Sequence, residues 1–425
     1  MDQIPPWSDL LQELLTKIFE HLPSNSLDTL SFRSVCKSWR SSSSPSSSPN
    51  PTIFPPLPLA IPCPPYYNQF RNVAVLSMTA IYALHPPNPN SIKDNTPSCW
   101  ITFIDQSIRE KLSIRKPFSK ACYYLPRKFP RTLNLFSFHV SDLGRFYNLS
   151  YVTTPDGKLT KRCACFGMVR KVVLYKNGDE FVVLALSDEG ELGLLRLRLG
   201  DGDDKLLGVM ALTKSDWEIV HDGKGFHFDD FVDFKGRILA IDRRGRVYKI
   251  VVGVCSSSTV MSVISPPIVG GGGRRKRLVE SLGRLYLVVR CYVRGEKDAY
   301  LKVYELNGNT NKWVEVKSLG DRTFFFGIEF SFSASKEELH SSYGKNCILF
   351  KERSFLNYNG VDDEPALFHN LAEHDLRIGV WRMDDAANVN VIGSCPGYSD
   401  LFWPPPTWIL PNIKPRSKSS RRRKK

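Results

Sequence analysis

Nothing in this 425-residue chain is spaced like a disulfide frame or a metal knot. Its ten cysteines are scattered, with Cys163-Ala-Cys165 the only close pair and no Cys-x-x-Cys. A zinc ribbon and a disulfide-stapled secreted domain are therefore both excluded as readings. The eight histidines contain no His-Glu-x-x-His. The densest polar cluster, His221 to His227 with Asp222, Asp229 and Asp230, reads as solvated acidic residues in a loop before a strand. No run approaches the ~20 apolar residues of a membrane span; the longest, Asn72 to Leu84, is much shorter. The opening Met1 to Trp7 has neither a basic start nor an apolar core, so no secretory leader and no membrane partner are expected. Together these point to a reducing compartment, nucleus or cytoplasm, where the sequon Asn148-Leu-Ser150 has no glycosylation meaning. Gly270–Gly273 ahead of Arg274–Arg277 lacks the fixed glycine spacing and Lys-Ser/Thr of a phosphate loop, and reads as a flexible basic connection between strands. No residue set nominates a catalytic centre, a cofactor or a metal.

What is present is a packed-protein composition, 42% hydrophobic and 12% aromatic, with a net charge of +15. That charge is unevenly spread. Residues 1–40 hold four Lys/Arg against five Asp/Glu, whereas residues 414–425 hold eight Lys/Arg and no acid. With Arg274–Arg277 set aside as well, the body is close to neutral. The tail reads as disordered, and three roles stay open for Arg421, Arg422, Arg423, Lys424 and Lys425: nuclear import, contact with an acidic surface or nucleic acid, or solubilisation. It carries no stacking aromatics, which argues against a nucleic-acid reader.

The N-terminal stretch is helical in pattern. Leu11, Leu14, Leu15, Ile18, Phe19 and Leu22 recur at the period of one helix face. Asp9 can cap that helix, with Gln12 reaching back, and Pro23 ends it. Ser24–Ser26 can open a second short helix bearing Leu27 and Leu30. A third carries Val35, Cys36 and Trp39 before the Ser/Pro run at 41–51. Three such short helices cannot bury enough surface alone and need a partner. Trp7-Ser-Asp-Leu10, Glu13-Leu-Leu15, Leu22-Pro23 and Arg33-Ser-Val-Cys-Lys-Ser-Trp-Arg40 together resemble the F-box. The resemblance implies docking on the Skp adaptor of a cullin-RING ubiquitin ligase through Leu10, Leu14, Ile18, Leu22, Pro23, Leu27, Val35 and Trp39. One departure is Leu11, where plant F-boxes usually have a proline that touches the adaptor.

Beyond the Ser/Pro linker, 41–54, the text is all-β: short apolar runs separated by turns. Phe231 to Val252 reads as three strands around Lys235-Gly-Arg and Arg243-Arg-Gly. Leu278 to Val316 reads likewise around Leu282-Gly-Arg and Asn307-Gly-Asn. Gly144, Gly190, Gly236 and Gly283 recur at spacings of 46, 46 and 47, the length of a propeller blade. Phe324–Phe326, Trp313, Trp403 and Trp408 are expected in the core. Residues 55–413 resemble the kelch-like C-terminal domain of a large plant F-box group, in Phe231–Tyr248, Leu278–Arg290, Leu301–Leu306, Lys312–Arg322, Gly344–Phe350 and Pro404–Pro411. Cys99-Trp100-Ile101 stands where that group has Gly-Trp-Leu.

The expected fold is thus an α+β multidomain chain: a small three-helix F-box (1–40), a linker (41–54), a large β-propeller-like domain (55–413) and a basic tail (414–425). A β-sandwich is the alternative for the large domain. The resemblance implies a non-catalytic, substrate-recognition subunit that joins a protein target to the ligase. An adaptor-independent scaffold and a nucleic-acid-associated nuclear factor are the rival readings. The target, its degron and the blade count are not legible.

Overall fold

The computed structural model describes residues 10–20, 32–33, 35–43, 57–64, 73–85, 99–106, 112–115, 118, 139–153, 160–161, 169–177, 180–197, 217–220, 227–253, 259–268, 275–292, 299–339, 345–355, 378–383 and 393–394. Two helices come first, α1 (Gln12–Glu20) and α2 (Lys37–Ser42). Phe32 and Arg33 are helical as well. The remaining regular structure among the described residues is strand, apart from one 3-10 turn at Glu352–Phe355. No described helix is long and apolar enough to cross a membrane.

The strands fall into five groups. The first contains β1 (Leu59–Pro62), β2 (Val73–His85), β3 (Trp100–Gln106), β4 (Leu112–Arg115), β5 (His139–Thr153) and β6 (Thr160–Lys161). The second is the meander β7 (Val169–Asn177), β8 (Glu180–Ser187), β9 (Leu192–Leu197) and β10 (Glu218–Val220), joined to the first by a single β5–β7 pairing, Tyr147 with Val172. The third runs β11 (Phe228–Phe234), β12 (Arg237–Asp242), β13 (Val247–Val251) and β14 (Val260–Ser265). The fourth runs β15 (Lys276–Ser281), β16 (Arg284–Tyr292), β17 (Ala299–Asn307) and β18 (Lys312–Val316). The fifth holds β19 (Arg322–Phe326), β20 (Ser331–Ser335), β21 (Cys347–Lys351), β22 (Ile378–Arg382) and β23 (Gly393–Ser394), in the order β20-β19-β21-β22-β23 with β19 and β21 parallel.

These groups form a ring. Each neighbouring pair encloses its own apolar layer. Leu76 and Leu149 of the first meet Val183 and Leu195 of the second. Leu184 and Leu194 meet Phe231 and Ala240 of the third, and Ile241 and Val247 meet Leu278 and Leu287 of the fourth. Val288 and Leu301 meet Phe324 and Ile348 of the fifth, and Phe325 and Leu349 return to Ile101 and Phe103 of the first. Inner strands β5, β7, β11, β15 and β20 line the centre, each packed beside the next. A β-sandwich has two facing layers and one core; five cores in a closed circuit are those of a propeller with five described blades. Because both blade faces are covered, strands such as β8 are buried along their whole length and read as continuous apolar runs rather than alternating ones. Strand β9, which begins at Leu192, is likewise almost wholly buried.

The glycine rhythm is only partly structural. Gly236 and Gly283 close equivalent hairpins, β11–β12 and β15–β16, at φ +71° and +69°. Each is preceded by another positive-φ residue, Lys235 or Leu282, which makes both two-residue type I′ turns matched to strand twist. Gly190 instead lies one hairpin later in its blade, between β8 and β9. Gly144 is not in a turn at all. It sits inside β5, where the pairing with β2 shifts register between Ile81 and Tyr82, so that element of the 46-residue spacing is coincidence.

Candidate functional site

Helix α1 begins at Gln12, and the first intrahelical bonds run from Leu14 N and Leu15 N to Leu11 O. Leu11 therefore holds the cap position expected for Asp9, which lies outside the described residues. The single apolar stripe expected on this helix divides into two. Leu15 is fully buried, and the Phe19 ring lies 5.3 Å from Phe32, which in turn lies 4.7 Å from Trp39. This aromatic stack ties α1 to α2. Leu11, Leu14 and Ile18 point the other way, 70%, 46% and 38% exposed, and Val35, just before α2, is 52% exposed. Spacings of three and four residues put Leu11, Leu14 and Ile18 in one row. Leu10 and Trp39 are half-buried. Leu22, Pro23 and Leu27 lie outside the described residues, as do the expected second helix and the tail residues Arg421–Lys425.

Helix α2 continues to Ser42, two residues beyond the expected end of the helical module. The serines are not idle linker: Ser41 Oγ and Ser42 Oγ donate to Ser38 O at 2.8 and 2.9 Å, and Ser42 and Ser43 are buried.

The second notable cluster is at the propeller centre, and here two sequence expectations are corrected. Asp229 and Asp230 are not solvated loop carboxylates; they are buried on β11. Arg275–Arg277 are not a flexible basic connection; Lys276 and Arg277 open β15 and are 0% and 1% exposed. Arg277 Nε meets Asp230 Oδ2 at 3.0 Å, while its terminal nitrogens donate to Gly327 O (2.7 Å), Ser354 O (3.2 Å) and Phe330 O (3.1 Å). Lys171 Nζ of β7 reaches the other oxygen of Asp230 at 2.9 Å. Lys276 Nζ lies 3.6 Å from Asp229 and donates to Arg243 O at 2.7 Å. One carboxylate thus pins cations from two further blades, and Arg277 extends the link to the fifth. Burial alone would raise the Asp230 pKa. Lys171, Arg277 and the Leu278 amide outweigh it and hold it down at about 2. For Asp229 burial wins and the pKa is raised despite Lys276 and Arg170.

Among the described residues no cluster of His, Cys, Asp and Glu has metal-holding geometry. His227 Nδ1 faces Glu189 O at 2.8 Å, and His221 and Asp222 lie outside the described residues. Phe324, Phe325 and Phe326 are core, and Trp313 is half-buried; Trp403 and Trp408 lie outside the described residues. Asn148, the sequon residue, is buried in β5, where it donates to Thr79 Oγ1 at 2.6 Å.

A helical module bearing an apolar row, followed by a closed propeller, defines a two-part protein. The profile of the KIB1-4 beta-propeller family matches residues 73–382, and that of the F-box domain matches residues 7–47. The chain belongs to the KIB1-4 beta-propeller family and carries an F-box domain. It is 29% identical to F-box protein At2g17036 of Arabidopsis thaliana over 95% of this chain and 94% of that one. It is 28% identical to F-box protein SKIP23 of the same plant, over 96% of each chain. The F-box/kelch-repeat protein At1g64840, also from Arabidopsis thaliana, is 25% identical over 92% of this chain and 95% of its own.

Proposed function

We propose that this protein is the substrate-recognition subunit of an SCF-type cullin-RING ubiquitin ligase and is not itself a catalyst. The observation that carries the reading is the exposed row Leu11, Leu14 and Ile18 on a helix whose opposite side is satisfied by Phe32 and Trp39. Soluble helices bury their apolar stripe; this one has a second stripe left over, in a domain matched by the F-box profile. A Skp-family adaptor would cover that stripe. The propeller would hold a protein target on its loops, as rigid scaffolds do. Tethering then raises the target's effective concentration beside a ubiquitin-loaded enzyme, and the transfer chemistry belongs to other subunits. The basic tail would direct the chain to the nucleus. A fluorescent fusion truncated after Pro411 should lose nuclear enrichment; unchanged distribution would remove that role.

The test is binding of the purified full chain to a plant Skp adaptor, with a Leu14→Asp/Ile18→Asp variant as control. Placing two carboxylates in an apolar interface should weaken binding by at least about 100-fold, while the propeller's unfolding midpoint stays where it was. Retained binding by the variant would defeat the assignment. Absence of binding by the folded wild type would show that Leu11, in the place of the usual proline, leaves a docking face unfit for the adaptor, and would favour a free scaffold.

A further inference from the structure

Among the described residues, the ends of β7, β11 and β15 that meet at the centre of the ring hold more buried positive charge than buried negative charge. Arg170, Lys171, Arg275, Lys276 and Arg277 are each at most 7% exposed, whereas the carboxylates buried among them are Asp229 and Asp230. Asp242, also buried, is committed elsewhere, to Arg246 Nε at 2.7 Å and the amides of Arg244 and Arg246. Asp188, half-buried in the β8–β9 turn, is the next carboxylate acting on Arg170 and Arg275. Counting it, the described residues still hold two cations in excess. Buried charge without a counter-charge is strongly disfavoured.

The excess is located by hydrogen bonding. Lys171, Lys276 and Arg277 have carboxylate partners at 2.9, 3.6 and 3.0 Å. Arg170 and Arg275 have carbonyl partners instead, Phe228 O at 3.1 Å and Asp188 O at 3.4 Å. The Nε of Arg275 is buried and has no acceptor. Arg275 is 5% exposed. Burial, with Arg170 next and Arg277 adding to it, lowers its pKa to about 9 even though Asp229 and Asp188 act in the opposite direction. Guanidinium groups present planar donors that fit oxyanions in pairs, and the excess of two charges matches a dianion.

We propose that Arg275 and Arg170 form a binding site for a small phosphate-type oxyanion at the centre of the propeller, where it completes the charge balance between the second, third and fourth blades. Such a ligand binds the closed ring and not the unfolded chain, so it raises stability in proportion to the logarithm of its concentration. The probe is inorganic phosphate, compared with chloride at the same pH and ionic strength, on the purified full chain. Phosphate should raise the unfolding midpoint by about 3 °C or more once it exceeds its dissociation constant a hundredfold, and isothermal titration should give a one-to-one site. Arg275→Met should abolish both effects. Should that variant fail to fold, Arg275→Lys keeps the charge and removes the Nε donor, and should weaken phosphate binding at least tenfold. Equal midpoints in phosphate and chloride with no titration signal would overturn the proposal. So would a phosphate effect that survives unchanged in Arg275→Lys.

Discussion

Asp230 shows how much one buried side chain can hold together. Its Oδ1 accepts from Lys171 and from the Phe231 amide, and its Oδ2 accepts from Arg277 and from the Leu278 amide. With all four donors in place the carboxylate is fully compensated. Removing its charge leaves two buried cations without a partner, which typically costs about 3–5 kcal/mol. Asp230→Asn should lower the unfolding free energy by that amount in denaturant titration at pH 7, and a loss below about 1 kcal/mol would show that the network relaxes around the amide. The pH response has a definite sign. The folded Asp230 pKa, near 2, is below the usual carboxylate value, so the unfolded chain takes up this proton first. The stability it contributes is present above the ordinary carboxylate range and is lost as pH falls toward 2. The gap between wild type and Asp230→Asn should therefore narrow, by on the order of 2 kcal/mol, on acidification from neutral pH. A gap independent of pH would mean that this carboxylate is not held ionised.

Elements differ in how far their sequences disclose them. The hairpins β11–β12–β13 and β15–β16 are legible because their turns are local: Lys235-Gly236 and Leu282-Gly283 supply two consecutive positive-φ residues between apolar runs. Helix α1 is legible from its period, but its division into a stacked side and an exposed side depends on Phe32, which is distant in sequence. The basic run at 274–277 misleads because its compensating acid is 47 residues away, from Arg277 to Asp230; composition sees charge and not its partner. Exposure of Leu11, Leu14 and Ile18 follows from helical spacing once Leu15 and Phe19 are known to face inward, whereas nothing local marks Arg275 as buried. Turn chemistry also allows a prediction at this scale. Leu282 adopts φ +52° while 77% exposed, so it bears the steric cost of the left-handed region and recovers little by burial. Leu282→Asn should raise stability by about 0.5–1 kcal/mol, because Asn tolerates that conformation. An unchanged or lowered denaturation midpoint would indicate that the leucine is held by a contact outside this hairpin.

At the scale of the whole molecule, the ring must be closed between blades that are far apart in sequence. The seam between the fifth and first blades is an aromatic core centred on Phe330. Its ring lies 4.9 Å from Phe103, 5.5 Å from Phe118, 5.0 Å from Phe146 and 5.8 Å from Phe332. The same residue offers its carbonyl to Arg277, so the apolar seam and the central ion network meet there. The fifth blade reaches this position by an unusual path, with β20 turned inside β19 so that β21 runs parallel to β19. Phe330→Ala removes the ring that touches both sides of the seam and should cost about 3–5 kcal/mol. The cost should also be unevenly distributed. Native-state hydrogen exchange should show β3 and β19, which flank the seam, losing protection while β12, which packs in two other interblade layers, keeps it. Uniform loss across all three strands would mean that the propeller opens only as a single unit and that the seam is no weaker than any other joint.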